Sequence, residues 1–380
     1  MSSLDQAAPA PCILSEELDD FRSSVRDFAK KELAPGYLDR ALSDEFPWDV
    51  YKKLAAQGLI GIEASERYGG QGATHLAAGI AVEELARADM SAAYLVFDTT
   101  VGASLLERYY RYAADLLPAV LDGSVSTCLA LTEPESGSDA QAMTTVAEKV
   151  PGGWRIRGEK ASITKAPMAD MAVVFAKTDA GPTAFLVDLD ERTVSRQRFR
   201  DPGMRPIGRG SLTFDNTFAP EERLIGEEGR GFSLVMREFD YSRVLLGLMA
   251  VGVGEAGLDM AIAYANERHT FGNPLKAYQG VTFPIAEHLT RLEAARWLGY
   301  RALSLRMAGR PHTKEAAMMK WWPVRVALDA LEDAMVTFGN VGFADELPLQ
   351  AMRRDLQGLL IGDGTPQIQK LIISRLAFGR

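Results

Sequence analysis

One carboxylate near the end of the chain sits where the backbone around it is accessible. Asp363 lies between Gly362 and Gly364, after the apolar run Leu359-Leu360-Ile361 and before Thr365-Pro366. Thr365 reads as a helix N-cap and Pro366 as the first helical position, where a missing N–H costs nothing. A carboxylate beside a positive helix end, with glycine on both sides, has two readings. It either hydrogen-bonds its own turn or stands open as a base toward a ligand.

Three other segments carry chemistry. Cys128-Leu129-Ala130-Leu131-Thr132 reads as a strand end, and Glu133-Pro134-Glu135-Ser136-Gly137-Ser138-Asp139 as a loop rich in hydroxyls and glycine. Such a loop is a good turn, and it also presents N–H groups and hydroxyls to a polar ring or a phosphate. In Arg268-His269-Thr270-Phe271-Gly272-Asn273-Pro274-Leu275 an arginine closes a long helix, and a new helix starts at Gln279. Arg268 suits the helix dipole there, and it equally suits bidentate binding of phosphate. Phe338-Gly339-Asn340-Val341-Gly342-Phe343 reads as a glycine-rich helix end.

The elements that must hold these segments come in three blocks. Up to about residue 121 apolar residues recur at helical spacing, as in Leu18, Phe21, Val25 and Phe28, and a second helix is expected over Leu76–Ala88. Between residues 123 and 230 short alternating or apolar runs predict strands: Trp154–Gly158, Met171–Ala176, Ala184–Val187, Thr193–Phe199 and Ser211–Phe214. Helices then return over Val235–Arg268, Gln279–Ala308 and Lys314–Phe338, with a last one after Pro366. Three long helices and a final one suit an antiparallel four-helix bundle. Pro323 predicts a kink or a break in the third. The expected fold is α+β, mainly α. It has an N-terminal helical domain (1–122), a middle β-barrel or sheet domain (123–230) and a C-terminal four-helix bundle (231–380).

Composition narrows the classes. With 47% hydrophobic and 24% charged residues the chain of 380 residues has enough apolar material for a large core. A net charge of −9 argues against nucleic-acid or anionic-membrane binding. Cys12 and Cys128 are too few for a disulfide framework, and His75, His269, His288 and His312 show no metal-ligand spacing. Residues 1–13 lack a signal pattern. The most apolar stretch, Val244–Gly254, has about 11 residues, too few for a membrane span. A cytoplasmic protein is expected.

Taken together in this order, the four segments resemble the acyl-CoA dehydrogenase family of flavoproteins, from about Leu14 to the C-terminus. The resemblance implies FAD as cofactor and α,β-dehydrogenation of an acyl thioester, carried by CoA or by an acyl carrier protein. An electron-transferring flavoprotein or oxygen is the implied acceptor, and a tetramer or dimer the implied assembly. It implies flavin contacts at Leu131, Thr132, Ile163 and Thr164, with Ser138 at the pantetheine side of the site. Arg268, Thr270, Phe271 and Gln279 match positions holding the pyrophosphate and adenosine part of FAD, commonly across a subunit interface. Gly339 and Asn340 match the turn that receives a neighbour's FAD, and Thr365 and Gln367 the last FAD contacts. Asp240, Arg243 and Gly364 fall on the substrate side. Asp363 matches the base, and its backbone N–H a donor to the developing enolate oxygen.

The chain departs from the family pattern at several of these places. The usual base is glutamate, and aspartate is shorter by about 1.5 Å. Some members place the base just before the substrate-side arginine, where this chain has Ser242, which cannot serve. A tryptophan over the flavin edge is replaced by Ser162, a glutamine by Val336, the second glycine of the turn by Asn340, and an aromatic residue before the base by Gly362. Two alternatives follow: a flavin oxidase or monooxygenase that uses Asp363 as base, as in a nitroalkane-oxidising branch, or a non-catalytic acyl-binding homologue.

Overall fold

The computed structural model describes residues 14–190 and 192–379; Cys12 and the N-terminal segment lie outside the described residues. The N-terminal block contains helices α1 (Glu16–Phe28), α2 (Tyr37–Leu42), α3 (Trp48–Ala56), α4 (His75–Ala86), α5 (Met90–Tyr109) and α6 (Ala113–Leu121). α5 begins at a strong cap, because Asp89 Oδ1 accepts the N–H groups of Ser91 and Ala92 at 2.8 and 3.1 Å. Both faces of α4 and most of α5 are buried, so these two helices form a layer inside the molecule.

The middle block holds β1 (Thr127–Ala130), β2 (Val146–Val150), β3 (Gly153–Thr164), β4 (Met171–Thr178), β5 (Gly181–Asp188), β6 (Val194–Arg198), β7 (Arg209–Pro220) and β8 (Leu224–Ile225). They form one sheet in the order β6-β7-β3-β2-β4-β5-β8, with β1 added in parallel to β4. The pairing of β3 with β7 slips twice, once between Lys160 and Ile163. A bulge there re-aims side chains, and Ser162 in it takes a left-handed φ of 61°.

The C-terminal block holds α7 (Gly231–Glu267), the short hairpin β9 (His269–Thr270) and β10 (Asn273–Pro274), then α8 (Gln279–Met307), α9 (Thr313–Phe338), α10 (Leu349–Leu359) and α11 (Pro366–Phe378). α7, α8 and α9 pack on one another, and α4 and α5 lie against α7. Three sequence expectations change. α10 was not anticipated, since the segment before Asp363 reads only as an apolar strip. α9 runs unbroken through Pro323. The carbonyl of Met319, four residues earlier, is left free by that proline. It lies against Gly247 of α7, where a Cβ would stand only 2.4 Å away.

The apolar stretch of α7 is also longer than about 11 residues. The helix is long and apolar enough to cross a membrane, with a mean hydropathy of 1.6 over its most apolar window. That window is 78% buried within the protein, which marks α7 as a core helix.

Candidate active site

The turn between α10 and α11 presents Asp363. Its φ of 53° is left-handed, a conformation aspartate tolerates better than most residues, and Gly364 follows at 94°. Four side chains hold the turn. The Ser242 hydroxyl, on α7, donates to Asp363 Oδ2. Arg243 Nε donates to the Asp363 carbonyl at 3.3 Å. Gln369 Nε2, on the first turns of α11, donates to the carbonyls of Asp363 and Gly364, each at 3.0 Å. Lys320 Nζ, from α9, donates to the carbonyls of Leu359 and Gly364. Thr365 does occupy the N-cap position of α11, with Pro366 at its first residue, but its side chain makes no capping bond.

Behind this turn the charges are paired. Arg243 Nη1 stands 3.0 Å from Asp240 Oδ1, and the Thr313 hydroxyl donates to the other oxygen of Asp240. Asp240 and Arg243 thus form a unit on α7, one helical turn apart, directly behind the carbonyl of Asp363.

The opposite wall comes from α5 and β3. The Tyr94 hydroxyl lies 3.5 Å from Thr164 Oγ1. Burial pushes the Tyr94 phenol well above its usual pKa, and the charges of Asp363 and Asp98 push in the same direction. Tyr94 thus touches Thr164 and lies within reach of the charge of Asp363. Next to Thr164, the buried Lys165 ammonium pairs with Asp98 at 2.6 Å. Arg209, which β7 pairs opposite Thr164, reaches the Ser162 hydroxyl at 3.1 Å and is held by Asp201.

The Thr132 loop joins the same wall. The Thr132 carbonyl accepts the N–H of Ala161 at 2.9 Å, and Lys160 Nζ donates to the Leu131 carbonyl at 2.9 Å. Glu133 anchors the loop from inside. Burial alone would raise its pKa, but bonds from Lys160, Thr144 and Thr145 bring it down to about 2. The loop is therefore fixed by a carboxylate that stays ionised, while Ser138 beyond it is exposed. Leu131 and Ile163 are buried beneath this rim.

A second cluster sits at the far end of the bundle. Tyr264 stacks on Phe338 with ring centroids 4.3 Å apart, which brings the C-terminus of α7, and Arg268 after it, beside Gly339 and Asn340. Arg268 is exposed and makes no ion pair among the described residues; Phe271 is 93% exposed with φ 48°. Gln279, Gly339 and Asn340 are exposed, and so are Val336 at 73% and Phe343 at 84%. No hydrogen bond joins this cluster to Asp363, Thr132 or Thr164 among the described residues. The site residues expected from the sequence thus fall into two groups within one chain. Thr365 and Gln367, at the start of α11, belong with the Asp363 turn.

Comparison with known proteins agrees over most of the chain. The N-terminal, middle and C-terminal domains of acyl-CoA dehydrogenases match residues 15–121, 128–217 and 229–378. An acyl-CoA dehydrogenase of Bacillus subtilis is 35% identical over 96% of this chain and 99% of its own. The chain belongs to the acyl-CoA dehydrogenase family. It is accordingly an FAD-dependent oxidoreductase of the kind that acts on CH–CH donors. The CarC subunit of the caffeyl-CoA reductase–Etf complex from Acetobacterium woodii is 34% identical over 95% of this chain and 98% of its own. Among solved structures, butyryl-CoA dehydrogenase from Megasphaera elsdenii superposes with a TM-score of 0.93 at 30% identity, covering 98% and 100% of the two chains. A glutaryl-CoA dehydrogenase from Mycobacterium smegmatis in complex with FADH2 gives 0.92 at 25% identity, covering 97% and 96%.

Local sequence did not point to Tyr94, Lys320 or Gln369. Tyr94 reads as one apolar position on a buried helix, Lys320 as an ordinary helix lysine. The only signal was their burial, which requires the fold.

Proposed function

We propose that the protein catalyses FAD-dependent α,β-dehydrogenation of an acyl thioester, with Asp363 as the base that removes the α-proton. The observation that carries this reading is the carboxylate of Asp363 held by Ser242 on α7, its charge within reach of Tyr94, which bonds Thr164. The donor set fits FAD. The hydroxyls of Thr132 and Thr164, with the backbone beside Leu131 and Ile163, suit the polar edge of the flavin ring. Thr365 and Gln367 extend that edge. Arg268, Thr270, Phe271 and Gln279 offer a free cation, a hydroxyl, an exposed ring and an amide to a nucleotide diphosphate. Gly339 and Asn340 leave open backbone beside them, since a Cβ built on Gly339 meets nothing within 4 Å. Because no hydrogen bond joins the two clusters among the described residues, the reading includes a homo-oligomer, tetramer or dimer, in which each FAD lies between subunits.

When bound, FAD supplies the acceptor for the hydride leaving the β-carbon. The chain's own residues supply the rest. Ser242 occupies Oδ2 of Asp363, which leaves Oδ1 for the α-proton. A thioester α-proton is a weak acid, so the developing enolate oxygen needs a donor, and the Asp363 N–H takes that role. Ser138, Gly364 and the Asp240–Arg243 unit lie on the thioester side. A CoA thioester is the preferred substrate, with a carrier-protein thioester as the variant of the same chemistry. An electron-transferring flavoprotein is the proposed acceptor and the cytoplasm the proposed location. Ser162 supports a second acceptor: with serine in place of an aromatic cover, oxygen has a path to the flavin.

The test is anaerobic mixing of the FAD-loaded protein with butyryl-, glutaryl- and branched acyl-CoAs. One of them should bleach the flavin, and Asp363→Asn should slow bleaching by at least about 10²-fold. If no thioester bleaches it and Asp363→Asn changes nothing, the reading is lost. Rapid peroxide formation in air assigns oxygen as the acceptor.

A further inference from the structure

We propose that Lys320 is a positioning residue for the reaction: its buried ammonium ties together both ends of the turn that carries Asp363. The proposal rests on the reading of Asp363 as the base. Lys320 sits in the middle of α9 and is 1% exposed. It forms no ion pair among the described residues, which is costly for a buried cation and calls for a reason. Its donors go to two carbonyls. One belongs to Leu359, the last residue of α10; the other, at 3.4 Å, to Gly364, directly after the base.

The last carbonyls of a helix lack partners of their own and carry partial negative charge, so a cation suits Leu359. Bonding Gly364 at the same time fixes the span of the chain from Leu359 to Gly364. That constraint matters because Asp363 occupies a left-handed φ and, as an aspartate, has little reach to spare. The charged groups facing Lys320 are Asp363 on the turn and Arg243 on α7, the latter paired with Asp240. Burial is the main influence and brings the ammonium down to about 8; the Asp363 charge raises it and Arg243 lowers it. Lys320 thus acts on Asp363 by holding the turn, with one bond before the base and one directly after it.

Lys320→Met keeps the length and removes donor and charge; Lys320→Gln keeps a donor and removes the charge. Both are compared with the native, FAD-loaded protein. In Lys320→Met, amide hydrogen exchange of residues 359–365 should quicken while the rest of α9 keeps native protection. Flavin reduction by butyryl-CoA should slow by about ten-fold or more, with butyryl-CoA affinity changed by less than about two-fold. Lys320→Gln, which keeps a donor, should recover part of the native rate and part of the native exchange protection. Native exchange or a native reduction rate in Lys320→Met overturns the proposal, whatever happens to Tm. If the Met variant does not fold, the Gln variant decides: native exchange of residues 359–365 together with a native reduction rate overturns the proposal, and quickened exchange with a slowed rate supports it. The exchange measurement needs no substrate. An Asp363→Asn control separates the two ideas: if it reduces flavin at the native rate, the base assignment itself has failed.

Discussion

Asp363 is one methylene shorter than the glutamate its family leads one to expect, and its neighbours show how the site accommodates it. The carboxylate does not swing free at the end of its loop; Ser242 fixes one oxygen against α7. Ser242 is itself the position where some relatives carry the base. Here it cannot accept a proton as a base does, but it bonds the carboxylate proposed for that role. A hydrogen bond to a charged acceptor contributes about 1.5–3 kcal/mol. Ser242→Ala should therefore lower the limiting rate of flavin reduction by about ten-fold or more, at about 1.4 kcal/mol per factor of ten, with thioester affinity kept. An unchanged rate in rapid mixing would show that Asp363 is oriented by its backbone alone.

At the scale of elements, the site depends on how closely α7 approaches its neighbours. Ser242 and Arg243 reach the Asp363 turn only because α7 and α9 pack at a glycine. Gly247 meets the Met319 carbonyl that Pro323 leaves unpaired, and Gly252 similarly faces the Glu83 carbonyl of α4. A Cβ on Gly247 would stand 2.4 Å from that oxygen, so the helices must part or the backbone must bend. Gly247→Ala should cost about 1–3 kcal/mol of stability, read as a lower Tm. It should also slow flavin reduction, because the two helices that carry Ser242 and Lys320 move apart. Of the kink or break that the sequence allows at Pro323, the break does not occur: the helix continues, and Gly247 of its partner helix lies against the freed carbonyl.

At the scale of the whole molecule, one buried carboxylate links the three blocks. Asp355 on α10 accepts the Tyr37 hydroxyl of α2 at 2.9 Å and the Met204 N–H of the β6–β7 connection at 2.6 Å. Burial, the largest influence, pushes its pKa up to about 7; the Met204 and Tyr37 bonds pull the other way, and Asp89 adds to the rise. With a folded pKa above the unfolded carboxylate value of 3.8, the folded state binds more protons. Its contribution is fully present below about pH 4 and is lost as the pH rises toward 7. Native Tm should therefore fall between pH 5 and pH 7.5, and Asp355→Asn, which cannot titrate, should lack that part of the fall. Parallel Tm profiles for the two proteins would remove Asp355 as the cause.

The order of helices, sheet and helices was legible because each block repeats its own period over many residues. The family was legible too, since Thr132 with its loop and Arg268 through Phe271 are each contiguous runs. Local sequence also fixed Thr365-Pro366 as a helix start. It hid α10, a short amphipathic helix whose apolar residues also suit a loop strip.

Only the tertiary structure decided what Asp363 touches. Ser242 lies 121 positions away in the chain, and Tyr94 and Thr164 meet across 70. Such pairs leave no local period, because they are set by how α5, α7 and α9 pack rather than by spacing along any one of them. The sequence by itself determined that a carboxylate stands at the head of the last helix. Packing determined which donors hold it there, because a buried cation and a buried hydroxyl acquire partners only when the fold brings the elements together.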